Sequence, residues 1–303
     1  MNTPPRSPSF DGYEIISTIR SDELLLHSRE NTLVNAQIPS TLARSPVQFY
    51  MLSYHQDRML DAAQAFGFPT SPLEGPTAFG ELLNMLHDHL ESVHNNRTYA
   101  APLMLRIAFS ASGKFTITSN GPHPLPATIH QNPPTSYAGS HLYPGSLSTI
   151  ADPTLGASYL RWQVFVTFDK VIPDLFTRHK TSYRRQYDKA LSLLPAYPAD
   201  FVLNGIHLQS EVLIVNDRGE IMEGCRFTPY FRRGDKWITP GWGCGGNLGT
   251  TRRWAMEKGL CEVGVVNAGS VKDDDIIVLS NGAKGFQAGI VRPWKSLLAD
   301  ETK

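Results

Sequence analysis

Three segments of the 303-residue chain carry side chains suited to joint chemistry. The first is a glycine-rich turn, Gly245-Gly246-Asn247-Leu248-Gly249, running into a predicted helix at Thr250-Thr251-Arg252. The first N–H groups of a helix lack intrahelical partners and carry partial positive charge, so such a turn suits a phosphate, with both threonine hydroxyls as further donors. The segment lacks the GK[ST] of a Walker loop and the GxGxxG of a dinucleotide site, which disfavours a nucleotide. The second is Lys180, within His179-Lys180-Thr181-Ser182-Tyr183-Arg184. A lysine becomes nucleophilic when burial and neighbouring cations lower its pKa, and Arg178, His179, Arg184 and Arg185 are placed to supply that charge. The third is Glu223, on a strand after Asp217-Arg218-Gly219, which could be buried to ion-pair with a protonated ring nitrogen. Taken singly these are a capped glycine turn, a basic loop and a solvated strand glutamate; together they point to a site.

The elements that must position them follow from periodicity. Glu14 to Ile19 and Glu23 to His27 read as strands. Apolar steps of three and four predict helices over Val47 to Ala65 and Phe79 to Asn95. Leu103 to Ser110 and Lys114 to Thr118 form a predicted hairpin about Ala111-Ser112-Gly113. Residues 121–158, rich in Pro, Ser, Gly and His, keep no period and read as a connector and insertion. Beyond it come a strand at Val164 to Phe168, a helix over Ser182 to Leu194, and a hairpin joining Glu211 to Asn216 with Glu220 to Cys225. A second hairpin pairs Phe227 to Phe231 with Lys236 to Thr239, before the helix from Thr250 to Lys258 and a late strand, Ile276 to Ser280. The expected fold is mixed α/β (α+β) in two lobes: 1–120, a connector at 121–160, and a larger lobe at 161–303.

Lys plus Arg balance Asp plus Glu, 28 against 28, so no overall field favours nucleic acid or an anionic membrane, and a small-molecule partner is expected. Three cysteines with no CxxC pair suit a reducing compartment and argue against a disulfide framework or zinc. His87 and His89 lie two apart on a helix and diverge, so no metal site is expected, with His94 also a surface residue. No stretch reaches the roughly 20 apolar residues of a membrane span, and the start MNTPPRSPSF lacks a signal peptide's apolar core, so a cytosolic location is expected. The five tryptophans read as packing residues.

The second lobe resembles the fold-type IV pyridoxal-phosphate enzymes, a class that includes branched-chain aminotransferases, D-amino-acid aminotransferases and aminodeoxychorismate lyases. FVTFDKVIPDLFTRHKTSYRRQYDKA resembles their lysine segment, EVLIVNDRGEIMEG the strand pair ending in their glutamate, LGTTRR their phosphate turn, and SNGAKGF a second phosphate-side loop. In the first lobe, YEIISTIRSDE resembles the opening strand of the lyase-like group, and YHQDRMLDAAQAFGFP its His-x-x-Arg helix. Likeness to the lyase-like group is the closest.

That resemblance implies pyridoxal 5′-phosphate as cofactor, lying between the lobes and bonded covalently to Lys180, with Glu223 at its ring nitrogen. It places Arg58, Gly249, Thr250, Thr251, Asn281, Gly282 and Ala283 around the cofactor phosphate. Thr228 stands where an asparagine is usual, five residues after the glutamate. Thr18, Arg20 and Lys284 are the residues expected to meet substrate carboxylates and the leaving group. The implied activity is elimination of pyruvate from 4-amino-4-deoxychorismate by a homodimer. The alternatives are a class IV aminotransferase for branched-chain or D-amino acids and a non-catalytic binder that kept the fold. Residues 121–158 have no counterpart in the pattern, and an extra loop is expected near Pro198 to His207.

Overall fold

In a computed structural model, which describes residues 12–36, 47–94, 102–122, 160–194, 202–203 and 206–294, the described chain builds two main sheets and a separate two-stranded ribbon. The expected insertion at 121–158 lies almost wholly outside the described residues.

The smaller sheet is antiparallel, in the order β1 (Ile15–Ser21), β2 (Leu103–Phe109), β3 (Phe115–Pro122). Two helices supply much of its cover, α2 (Leu52–Phe66) and α3 (Gly75–His94), preceded by a short α1 (Arg29–Asn35). Leu82, Leu83, Leu86 and Leu90 of α3 are buried in the same core as Ile15, Ile19, Leu105 and Ile107. Strand alternation divides β1 into two faces, Ile15, Ser17 and Ile19 against Ile16 and Thr18.

The larger sheet has eight strands in the order β11-β10-β9-β12-β13-β4-β7-β8. They are β4 (Leu160–Val171), β7 (Gln209–Asn216), β8 (Ile221–Gly224), β9 (Thr228–Arg233), β10 (Lys236–Pro240), β11 (Glu262–Gly264), β12 (Ile276–Asn281) and β13 (Gly285–Val291). The β10–β11, β13–β4 and β4–β7 pairs are parallel and the rest antiparallel. Helices α4 (Leu175–Arg178), α5 (Arg185–Leu191) and α6 (Thr250–Glu257) complete the lobe. The extra loop near Pro198 to His207 contains a two-stranded ribbon, β5 (Val202–Leu203) with β6 (Ile206–His207).

Three expectations change. Glu23–His27 is a 3₁₀ turn rather than a strand, because the Asp22 carboxylate caps it by accepting from Leu24 N–H at 3.1 Å, and Leu25 is buried. Helix α2 begins at Leu52 rather than Val47. The preceding backbone pairs with the end of β1 (Asp22 N–H to Gln48 O, Tyr50 N–H to Arg20 O), and Met51 turns into the helix with φ of 48°. Helix α5 begins at Arg185 rather than Ser182, since Ser182 N–H is taken by Glu14 O at 2.8 Å. That bond and Ile16 N–H to Lys180 O, 3.0 Å, pin the Lys180 segment to β1 across the lobe junction.

Candidate active site

A cavity of ≈ 570 Å³ opens between the two sheets, lined by residues of both. β1 contributes Ile16 and Thr18, β2 contributes Met104 and Arg106, and α2 contributes Arg58. Lys180, Arg184, Tyr187, Glu223, Thr228, Asn247, Gly249 and the segment Asn281 to Lys284 come from the larger lobe. Residues expected from sequence to cooperate are thus brought to one wall-to-wall space.

Lys180 lies partly buried between three guanidinium groups. Desolvation pulls its pKa down to about 7, with Arg184, Arg58 and Arg106 acting in the same direction and Glu223 against them. The cations expected beside it are only partly the ones found. Arg184 takes that place, but Arg178 stacks on Trp242 (4.7 Å) and Arg185 on Tyr183 (5.6 Å). His179 lines the cavity with its ring edge-on to Phe66 and Trp242.

Glu223 is buried on β8, and desolvation raises its carboxyl to about 7. Its Oε1 accepts from the Tyr187 hydroxyl at 2.5 Å and from Asn247 N–H at 3.1 Å. Tyr187 and Arg184 are three apart on one helical face, with the guanidinium 4.7 Å from the ring.

Arg58 is held from behind. It donates to Ser17 Oγ at 2.7 Å, and Ser17 Oγ lies 2.7 Å from His55 Nδ1. Burial, with Arg58 and Lys180 nearby, holds the His55 pKa well below its usual value, so the ring is neutral. His55 and Arg58 share a face of α2 by their three-residue spacing. Arg58 Nε is sealed from solvent and has no hydrogen-bond partner among the described residues. A second cavity of ≈ 320 Å³ shares Arg58, His179 and Gly249 with the first and adds Thr250, placing the N-terminus of α6 at the junction.

The cup around that junction is tightly fitted. A Cβ on Gly282 would fall 2.4 Å from His55 Cε1 and 2.7 Å from Thr250 Oγ1, and one on Gly249 would fall 2.7 Å from Thr228 Oγ1. Thr251 Oγ1 donates to Asn281 O at 2.9 Å, so this hydroxyl ties α6 to the 281–284 loop rather than lining the cavity. Asn281 Oδ1 accepts from Ala283 and Lys284 N–H (3.0 and 2.8 Å), an Asx turn that fixes the loop.

Thr18 and Lys284 line the cavity as expected, but Arg20 does not. It is 3% exposed at the end of β1; its Nε donates to Asp22 Oδ2 at 3.0 Å, and its NH2 forms an ion pair with the same oxygen at 2.9 Å. Among the described residues no cluster could hold a metal ion. Sequence reading missed Ser17, Tyr187, Asn247, Arg106 and Arg226. Strand alternation would have found Arg106, whose register partner is Thr18. Tyr187 needed only its place one helical turn past Arg184.

Comparison with known proteins gives the family and the fold. The family model described as amino-transferase class IV matches residues 40–289. The chain is 23% identical over 308 residues to the aminodeoxychorismate lyase of Saccharomyces cerevisiae, spanning 93% of this chain and 77% of that protein. It resembles a crystal structure of a candidate 4-amino-4-deoxychorismate lyase with a TM-score of 0.56 and 19% identity, over 99% of this chain and 93% of the other. It likewise resembles the PLP-bound form of a hypothetical aminotransferase from Mycobacterium tuberculosis, with a TM-score of 0.55 and 14% identity, over 94% and 87%. The mixed α/β architecture is the fold-type IV arrangement, and no described helix is long and apolar enough to cross a membrane. With the match running through both lobes, the chain belongs to the amino-transferase class IV family.

Proposed function

We propose that the protein is a pyridoxal 5′-phosphate-dependent lyase that converts 4-amino-4-deoxychorismate to 4-aminobenzoate, the folate precursor, and pyruvate. The observation that carries this reading is the convergence of Arg58, Lys180 and Glu223 on one cavity. The residues fit the cofactor. A lysine with pKa near 7 faces a buried carboxylate, and a partly buried arginine whose sealed Nε has no partner among the described residues lies at a helix N-terminus lined by close-packed glycines. Lys180 would hold it covalently, Glu223 would keep its ring nitrogen protonated, and Arg58, the first N–H groups of α6 and the 281–283 loop would hold its phosphate. When bound, the cofactor supplies an electron sink for the carbon that carries the substrate's amine.

The chain's own residues then have definite tasks. Lys180, poised near neutral pH, takes the proton from the amine-bearing C4, the step for which its lowered pKa suits it. The C3–O bond breaks, the enolpyruvyl group leaves with the electron pair, and protonation of that group gives pyruvate. Loss of the C4 proton and the C3 substituent leaves an aromatic ring, which drives the step forward. Thr18 lies on the wall opposite Glu223, where a substrate polar group can meet it. The reading carries with it a homodimer working in the cytosol.

A class IV aminotransferase would use the same Lys180, Glu223 and Arg58, and the likeness to an aminotransferase fold supports it as the second reading. One experiment separates them. The cofactor-loaded protein is incubated with aminodeoxychorismate while pyruvate and 4-aminobenzoate are followed together. It is then incubated with branched-chain and D-amino acids plus a 2-oxo acid. Equal yields of the two products, with no amino-group transfer, support the lyase; amino-group transfer without 4-aminobenzoate overturns it.

A further inference from the structure

The cavity's cations fall into two groups. On the small-sheet wall, Arg106 of β2 stands beside Thr18 and near Lys180, and among the described residues its one ion pair is a long one to Glu14, 3.9 Å between half-exposed side chains. On the large-sheet wall, Lys284 and Arg226 both lie over the indole of Trp162, with Lys284 Nζ 4.8 Å and Arg226 Cζ 5.3 Å from the ring centroid. Trp162 is 2% exposed and is itself braced edge-on by Phe227 at 4.6 Å. The ring is therefore a fixed platform for two flexible cations.

The two cations differ in how far they are neutralised. Arg226 is committed to Glu211, a fully buried carboxylate, through a 3.4 Å ion pair, and it also donates to Ser210 O. Lys284 meets no carboxylate at ion-pair distance among the described residues; its Nζ donates to Gln209 Oε1 at 3.3 Å. Desolvation and the neighbouring Arg226 lower its pKa, with Glu211 acting against them. A half-buried ammonium of this kind is stabilised by an incoming anion.

We propose that Lys284, backed by Arg226 on the Trp162 platform, forms an anion subsite, and that with Arg106 on the opposing wall it selects substrates carrying two carboxylates. A simple branched-chain or D-amino acid has one carboxylate and satisfies only one wall. A dicarboxylate satisfies both, and the second contact lets the cavity discriminate by a charge rather than by shape alone. Glu211 sets the subsite's limit: burial raises its carboxyl to about 7, so above that pH it offsets Arg226 and the subsite offers roughly one net positive charge, suited to one carboxylate. The proposal rests on the reading above only in taking this cavity as the place where substrate binds.

The test uses the full chain loaded with its cofactor and two probes without an amine, so that Lys180 has nothing to react with. Chorismate carries two carboxylates and 4-hydroxybenzoate one, and binding of each is measured by calorimetry. Lys284→Met keeps the side-chain length over Trp162 and removes the charge. Chorismate should bind about tenfold more weakly to Lys284→Met, with affinity restored by Lys284→Arg and 4-hydroxybenzoate unaffected, as expected for loss of one charge-assisted contact. Unchanged chorismate affinity, an equal loss for both probes, or no chorismate binding to the wild-type protein overturns the subsite. If chorismate binding depends on Lys284 while aminodeoxychorismate yields no 4-aminobenzoate, the subsite stands and the lyase reading falls.

Discussion

Tyr187 donates its hydroxyl to Glu223 Oε1 across 2.5 Å, and Asn247 N–H donates to the same oxygen at 3.1 Å. Oε2 is left without a hydrogen bond among the described residues, and Glu223 lines the cavity. The carboxylate is thus clamped by one oxygen, with the other available to a ring N–H.

Tyr187→Phe removes a hydrogen bond to a carboxylate, a contact worth roughly 1.5–3 kcal/mol. The Tyr187 hydroxyl lowers the Glu223 pKa, so its loss raises that pKa further. The variant should therefore need a higher pH to hold the cofactor firmly and should bind it about tenfold more weakly at neutral pH. Cofactor titrations across pH read this directly. A weaker but equally pH-dependent affinity would mean that Tyr187 only packs against Cys225 and Val212.

Arg58 is backed by Ser17 and His55 at the mouth of α6, so Arg58→Ala should weaken cofactor retention about tenfold or more. Dialysis followed by absorbance measures it. Ser17→Ala should show a smaller loss of the same kind, because it frees Arg58 without removing it. Equal retention by wild type and Arg58→Ala would place the phosphate elsewhere.

Gly282→Ala should be poorly tolerated. The added methyl would meet the His55 ring at 2.4 Å and Thr250 Oγ1 at 2.7 Å, both fully enclosed. Overpacking of this kind costs about 1–3 kcal/mol. Gly269→Ala, where nothing lies within 4 Å, should leave the melting temperature unchanged and serves as the control. Comparable melting temperatures for the two variants would show that the cup yields.

Local patterning revealed the hairpins, both long helices of the first lobe and the turn into α6, because each keeps its own period over many residues. Periodicity did not assemble the site's main groups: Lys180, Glu223 and Arg58 came together only through the resemblance of their segments to those of fold-type IV enzymes. The failures are where tertiary pairing overrules propensity. Leu24-Leu25-Leu26 reads as a strand, but Asp22 turns the chain there. Ser182 reads as helical, but β1 captures its N–H. Arg20 has the alternation of a cavity residue, and only the fold shows that Asp22 has already engaged it. Contacts such as Tyr187 to Glu223, 36 residues apart, have no local signature.

Before cofactor binds, the site costs the protein stability. The Lys180 pKa falls from its ordinary 10.5 to about 7 on folding. Between those values the unfolded chain holds a proton that the folded chain has released, so folding stability is lost as pH falls from 10.5 to 7 and the penalty is full below 7. Glu223 behaves in the opposite sense. Its pKa rises from 4.5 to about 7, so stability is lost as pH rises through that window and the penalty is full above 7. Lys180→Met should therefore stabilise the unliganded protein at pH 7, with the gain fading toward pH 10. Glu223→Gln should stabilise it at pH 8, with the gain fading toward pH 4.5. One pKa unit corresponds to about 1.4 kcal/mol, and since Lys180 is only partly buried its gain should be about 1–2 kcal/mol. Urea unfolding of the cofactor-free variants at several pH values gives both curves. A Lys180→Met protein no more stable than wild type at pH 7 would show that the lysine is solvated rather than held under strain for chemistry.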